Sequence, residues 1–340
     1  MTIREMRETA RASMTNCKVC RECNGEACRA VMPGPGGKGT GDGFVRSYKK
    51  VQEVKVNMDT IYDACEIDTT MEMFGHTFKY PFFSAPLAGA TSQYGPKYND
   101  ETFGRAVAKG TRAAGIMALL PDGVDPMFGL SCAIGREMGG FAVPSIKPWP
   151  IEVMIEKARM AKEAGCIAIF TDLDSAGLAL VQNGPVKVMP HGVRDIEKLV
   201  LEAGVPVVVK GVMTAGGARK CLEAGAYGVV VSSHGGRVQD QVPAPIEVLP
   251  EIAQAVGGKM KIFVDGALRS GSDIFKVLAM GADCALIGRP YAIAVYGGDA
   301  EGVELYTNFI GAQFRETMMM TGCPTVKDIN LTKVRIPKDF

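Results

Sequence analysis

From about Tyr80 the chain alternates between two patterns. Short apolar runs recur as PFFSAPL from Pro81, GIMALLP from Gly115, FAVPSIK from Phe141, CIAIFTDLD from Cys166, PVVVKGV from Pro206, GVVVSSH from Gly228, KIFVDGA from Lys261 and CALIGRP from Cys284. Uniform rather than alternating apolarity is the mark of a strand buried on both faces. Most of these runs are preceded by helical patterns that end in small residues and glycine, such as IEKARMAKEAG, IEKLVLEAG and ARKCLEAG. Glycine there fits a helix C-cap. Eight strands alternating with helices predict a (β/α)₈ TIM barrel, with a doubly wound sheet as the competing arrangement. The first 50 residues break the rhythm, with four cysteines followed by MPGPGGKGTGDG, too glycine-rich for helix or strand. The chain therefore divides into a Cys/Gly-rich N-terminal arm, 1–50, and a barrel, 51–340.

The polar residues sharpen this picture. Asp174, Lys210, His234, Asp265 and Arg289 all fall at or near the C-terminal ends of different apolar runs. Each has an ordinary reading on its own: Asp174 as a helix N-cap, Lys210 as a snorkelling lysine, Arg289 as a surface cation. Five such placements at equivalent strand ends converge on one barrel mouth, where barrel chemistry is done. In VSSHGGRVQD, His234 offers acid–base chemistry and Arg237, three positions on, a planar fork suited to a carboxylate. Gly235 and Gly236 let the backbone turn sharply between them. Lys210, ending VPVVVK, reads as a Schiff-base lysine or as a cation facing a reduced cofactor. VDGALRSGSD and IGRP, after the seventh and eighth strands, carry Arg269 and Arg289 in glycine-rich loops, a standard barrel phosphate site. A phosphorylated cofactor such as flavin mononucleotide (FMN) fits there.

Composition excludes more than it assigns. With 38 basic and 37 acidic residues, no global field draws in nucleic acid or a membrane surface. The charged start has no apolar signal region and no run approaches a membrane span. Ten cysteines without a signal point to a reducing, cytoplasmic setting with free or metal-bound thiols. Four of them, Cys17, Cys20, Cys23 and Cys28, form C-x₂-C-x₂-C-x₄-C, which suits an iron–sulfur cluster or zinc, or else a set of reduced thiols.

SSHGGRVQDQVPAPIEVLPEI and IFVDGALRSGSDIFKVLAMGADCALIGRPY closely resemble the FMN-dependent α-hydroxy-acid dehydrogenase/oxidase family, which includes glycolate and lactate oxidases. The resemblance runs over roughly Val51 to Gly311. It implies FMN at the barrel mouth and oxidation of a 2-hydroxy acid to the 2-oxo acid. His234 would be the base, Arg237 the carboxylate clamp and Lys210 the lysine beside the reduced flavin. Asp174 would pair with the histidine, with Asp172 a second candidate. Ala85, Pro86 and Leu87 would lie along the flavin and Ser232 would touch its ring. Asp265, Gly266, Arg269, Gly288 and Arg289 would hold its ribityl chain and phosphate. A homo-oligomer, specifically a tetramer, is implied too; the electron acceptor is not.

The chain also departs from the family. DSAGLALVQN carries no second carboxylate-binding arginine, a gap that Lys187 or the glycine-rich arm could fill. Ser145 and Lys147 stand where the family has a glutamine and a substrate tyrosine, and Leu120 is nearest to the flavin-contacting serine. Two other readings remain: an FMN barrel of other chemistry, like the type 2 isopentenyl diphosphate isomerase, and a degenerate electron-transfer flavoprotein.

Overall fold

The computed structural model describes residues 1–123, 126–178, 187–338 and 340. Eight parallel strands close a barrel. They are β1 (Phe82–Ser84), β2 (Ala118–Pro121), β3 (Ala142–Ile146), β4 (Ile169–Asp172), β5 (Val207–Val212), β6 (Gly228–Val231), β7 (Lys261–Val264) and β8 (Cys284–Ile287). Neighbours pair in chain order, and β8 closes onto β1 through Ala285–Phe82, Leu286–Phe83 and Ile287–Ser84. All eight apolar runs are strands, and the doubly wound alternative falls to the closed ring. The strands are short and almost wholly buried, as expected where helices cover one face and barrel packing the other.

The helices α3 (Asp100–Ala113), α4 (Met127–Glu137), α5 (Ile151–Glu163), α6 (Val193–Ala203), α7 (Ala215–Glu223), α8 (Pro245–Val256), α9 (Gly271–Ala279) and α10 (Arg289–Met319) form the outer layer. Their ends carry chemistry that stops a helix. Asn99, Thr214 and Ser270 cap the starts of α3, α7 and α9 through their side chains, and Gly204 and Gly257 end α6 and α8 in the left-handed conformation. A hairpin, Met71–Met73 with His76–Phe78, closes the barrel floor. Phe74 stacks on Phe263 at 6.0 Å and Phe78 meets Phe83 edge-on at 4.7 Å. That end is apolar, which leaves the opposite mouth for chemistry.

The N-terminal segment shares the barrel's core. Helix α1 (Ile3–Ser13) buries Met6 and Ala10, and Ser13 Oγ donates to the Tyr296 carbonyl of α10 at 3.1 Å. Helix α2 (Asp42–Glu53) buries Phe44, Val45 and Val51, and Arg46 forks onto Glu247 of α8 with both bonds at 2.7 Å. The boundary drawn at residue 50 falls inside α2. No helix among the described residues is long and apolar enough to cross a membrane.

Candidate active site

Strands β4, β5 and β6 bring one acid–base network to the mouth. Asp172 ends β4 and Asp174 lies in the turn Leu173–Gly177 that follows. Lys210 lies in β5, where the register slips between Lys210 and Val212. The slip falls at Gly211, with φ 99° and Asp174 packed against its Cα, where a β-carbon has no room. His234 follows β6 with φ 55°, and Gly235 and Gly236 continue the left-handed path. Ser232 Oγ steadies that turn by accepting from the His234 amide at 3.0 Å and donating to Asp265 at 2.8 Å.

Within the network, His234 Nδ1 lies 3.1 Å from Asp174 and 3.5 Å from Asp172. The Lys210 ammonium donates to Asp172 at 2.8 Å and lies 3.1 Å from the same imidazole nitrogen and 3.6 Å from Asp174. Lys147, just past β3, also bonds to Asp172 from inside the barrel. Burial alone would raise Asp172, but Lys147, Lys210 and His234 together hold it well below the usual carboxylate range. Burial would likewise lower Lys210, yet Asp172, Asp174 and Asp265 keep it above its ordinary value. The two carboxylates beside its ammonium favour the electrostatic reading of Lys210 over the Schiff-base one. Asp172, Asp174 and His234 are also the only metal-like set of ligand atoms among the described residues, all within 4.8 Å of one another. Two ammonium groups already neutralise that set.

The rest of the mouth, from the turn after β6 round to β8, is different. Arg237, Arg269 and Arg289 form no ion pair among the described residues, whose arginine ion pairs lie elsewhere. Backbone carbonyls of the N-terminal arm hold them instead. Arg237 Nη1 donates to Gly34 and Gly36 at 2.8 Å each. Arg289 donates to Pro35 at 2.6 Å, Gly235 at 3.0 Å and Gly36 at 3.3 Å, with its guanidinium 3.9 Å from the Phe44 ring centre. Arg269 donates to the Cys23 carbonyl at 3.1 Å, and its Nη2 is buried without a partner. Burial pushes Arg237 down to about 10, with Arg289 adding to the effect, and burial with Arg269 lowers Arg289. Three cations crowd together with no counter-charge among the described residues.

Other expected residues fall around this mouth. Ala85, Pro86 and Leu87 follow β1 beside β8: the Ala85 amide donates to the Ile287 carbonyl at 2.8 Å, and Leu87 faces Gly288. Gly266 takes φ 110° against Pro245. Ser145 is buried with an unpartnered hydroxyl, and Leu120 is buried in β2. Lys187 is exposed, and residues 179–183 of DSAGLALVQN lie outside the described residues. The arm's own cation near the mouth is Lys38, bound to the Val238 and Gly177 carbonyls at 2.9 and 3.2 Å. The four arm cysteines are free and half-buried. Burial pushes Cys17 up to about 11, and Cys23, Cys28 and Cys20 push it the same way. Burial likewise raises Cys28, against the opposing pull of Arg289 and Arg269. Sequence reasoning missed Lys147 as part of the network and the arm carbonyls as arginine partners.

Residues 187–336 match the family described as FMN-dependent dehydrogenase. An L-lactate oxidase of Lactobacillus jensenii is 42% identical over 166 residues, 49% of this chain, and a peroxisomal (S)-2-hydroxyacid oxidase of Arabidopsis thaliana is 44% identical over 144 residues. These matched stretches span only 41% and 39% of the relatives' own lengths. A 4-hydroxymandelate oxidase of Amycolatopsis orientalis is 29% identical over 88% of this chain and 93% of its own. Among solved structures, a mandelate oxidase variant with (S)-mandelic acid superposes with a TM-score of 0.81 at 26% identity, covering 98% of this chain and 97% of that one. Residues 187–336, which hold His234, Arg237 and the loops bearing Arg269 and Arg289, are thus similar to the FMN-dependent dehydrogenase family.

Proposed function

We propose that the protein is an FMN-dependent oxidoreductase that converts a 2-hydroxy acid of the lactate or glycolate type to the 2-oxo acid. The observation that carries this reading is one mouth with two halves: a charge-balanced His–Asp–Lys network beside three arginines lacking any anion. The residues fit the cofactor. An unpartnered, buried Arg269 Nη2 beside Arg289 suits a phosphate, and the backbone at Gly288, where even a β-carbon would meet only ordinary contacts, suits its close approach. Asp265 and Ser232 would complete the cradle, with Ala85, Pro86 and Leu87 along the ring. Bound FMN supplies the two-electron sink that the side chains lack.

The chain's own residues would do the rest. Arg237 has Nη1 taken by the arm, and its Nε and Nη2 edge makes no hydrogen bond among the described residues. That edge can bind the substrate carboxylate in a fork. His234 turns Nδ1 toward Asp174 and leaves Nε2 without a hydrogen bond among the described residues. Nε2 would then take the substrate proton, with Asp174 orienting the ring and stabilising its charged form. Lys210, held by the two aspartates, would oppose negative charge arising on the flavin. A reducing compartment and a homotetramer belong to the same reading, on the cysteine usage and the family likeness respectively.

Anaerobic stopped-flow mixing with a panel of 2-hydroxy acids tests the function. Bleaching of the oxidised flavin by at least one acid is expected. FMN-loaded protein that no acid bleaches would overturn the proposal in favour of an electron-transfer flavoprotein.

A further inference from the structure

The four arm cysteines have no part in the chemistry above, yet the fold gives their segment unusual support. Between Cys17 and Cys28 the only regular structure is the single turn Glu26–Cys28. The path is held from outside by guanidinium groups. Arg7 donates to the Cys20 and Arg21 carbonyls, Arg11 to the Val19 carbonyl at 3.0 Å and Arg269 to the Cys23 carbonyl at 3.1 Å. Val19, between the first two cysteines, is fully buried with φ 46°. A β-branched residue rarely adopts that conformation, and the surrounding structure has to impose it.

We propose that Cys17, Cys20, Cys23 and Cys28 hold an iron–sulfur cluster at the edge of the barrel mouth. Three thiols at successive x₂ gaps, with the fourth five residues on, come from one compact loop, the arrangement used by ferredoxin-type clusters. Zinc sites instead pair ligands from separated knuckles. A zinc tetrathiolate also needs sulfurs about 3.8 Å apart, from bonds of about 2.3 Å. No three cysteine sulfurs among the described residues come within 4.8 Å of one another. The thiols are neighbours, but set wider than one ion spans. Arginines bound to the ligand loop suit a centre of net negative charge, and the half-buried thiols limit its exposure to solvent.

The placement also assigns a direction of electron flow, and this second step rests on the proposed FMN reading. Cys23 touches Arg269, and the Cys28 carbonyl packs against Gly36, whose own carbonyl accepts from Arg237 and Arg289. The cluster therefore adjoins both the phosphate cations and the carboxylate clamp. Oxidising one hydroxy acid releases two electrons and two protons. The flavin would take both electrons, and the cluster would pass them singly to two equivalents of a one-electron carrier protein, while the protons leave to solvent.

The test is anaerobic purification of the full chain, or its reconstitution with ferrous iron and sulfide, followed by iron, acid-labile sulfide, zinc and FMN analysis. About four iron and four sulfide per chain are expected, with a reduced-state paramagnetic signal. Cys20→Ser and Cys23→Ser should lose iron and sulfide, whereas Cys65→Ser, at an exposed position outside the segment, should keep them. Circular dichroism melting of each variant separates cluster loss from unfolding. Stoichiometric zinc, a disulfide, or ten freely titrating thiols after reconstitution would overturn the proposal. FMN content is read on the same sample, so a failed flavin assignment appears separately. If cluster and flavin are both present and 2-hydroxy acid reduces only the flavin, the electron path is wrong and the site stands.

Discussion

The two halves of the barrel mouth handle charge in opposite ways. On the β4–β6 side, two carboxylates, two ammonium groups and one imidazole lie within hydrogen-bonding or ion-pair reach, so every buried charge has an opposite beside it. From the turn after β6 round to β8, the three guanidinium groups share only backbone carbonyls and an aromatic ring among the described residues. Burying charge is costly unless it is paired. The first half is therefore complete by itself, while the second is complete only with anions. The difference separates machinery from binding site: the paired groups orient a base, and the unpaired ones define what must enter.

The largest effect should come from the paired half. His234→Ala removes the base, which typically costs about 10²- to 10⁴-fold in rate. FMN should stay bound, because the loops bearing Arg269 and Arg289 lie on other strands. Rapid-mixing flavin reduction reads the rate and a fluorescence titration the binding. Near-wild-type reduction would make His234 a structural residue and dissolve the contrast.

Lys147→Met tests the balance itself. Breaking a buried pair by removing one partner costs about 3–5 kcal/mol, and since Lys210 still faces Asp172 the lower end is expected. The pH dependence carries the sign. Asp172 is depressed in the folded state, so its contribution is present above the unfolded carboxylate value of about 3.9 and is lost as pH falls from there through the folded value. With one counter-charge gone, acid unfolding of Lys147→Met should begin at higher pH than in the parent. Chemical denaturation at a series of pH values measures both. A constant stability difference across the acid range would mean that Lys147 contributes packing rather than charge.

Arg237→Lys probes the unpaired half. An ammonium cannot reproduce the fork. A charged hydrogen bond lost from a buried site costs on the order of 1.5–3 kcal/mol, or roughly 10- to 150-fold in affinity for oxalate, a non-reacting dicarboxylate. Flavin difference spectra follow the titration, and FMN affinity should not change. Unchanged oxalate binding would place the carboxylate clamp elsewhere.

The paired half was more legible in the sequence than the unpaired one. The strands announce themselves because burial on both faces leaves no polar alternation, and His234, Lys210 and Asp174 stand at their ends. Lys147 was visible only as a departure from the family pattern, since its partner Asp172 lies 25 residues away on the next strand. The carbonyls of Gly34, Pro35 and Gly36 could not be found by residue type, because every residue has one. Their trace was the glycine run itself. Phe44 and Gly43 pack so closely on Gly236 that a β-carbon there would lie 2.6 Å from the Phe44 amide nitrogen. Helix α1 was missed because its apolar face is narrow: Met6 and Ala10 are its buried residues amid a charged stretch.

The smallest expected effect sharpens the boundary between the halves and the arm. A β-carbon at Gly36 would run into the Cys28 carbonyl, with the Val31 backbone 2.9 Å away, so Gly36→Ala must shift the carbonyls that hold Arg237 and Arg289. Those carbonyls occupy Nη1 of Arg237 and leave the Nε and Nη2 edge for a ligand, so the arm orients the clamp rather than competing for it. Because the shifted carbonyl orients the guanidinium without touching the ligand, the loss should be the smaller one, about 0.5–1.5 kcal/mol, or roughly 2- to 12-fold weaker oxalate binding. Combined with Arg237→Lys, the change should be less than additive, because both act through the same guanidinium. Tighter oxalate binding in Gly36→Ala would show instead that the arm carbonyls compete with the carboxylate for the clamp.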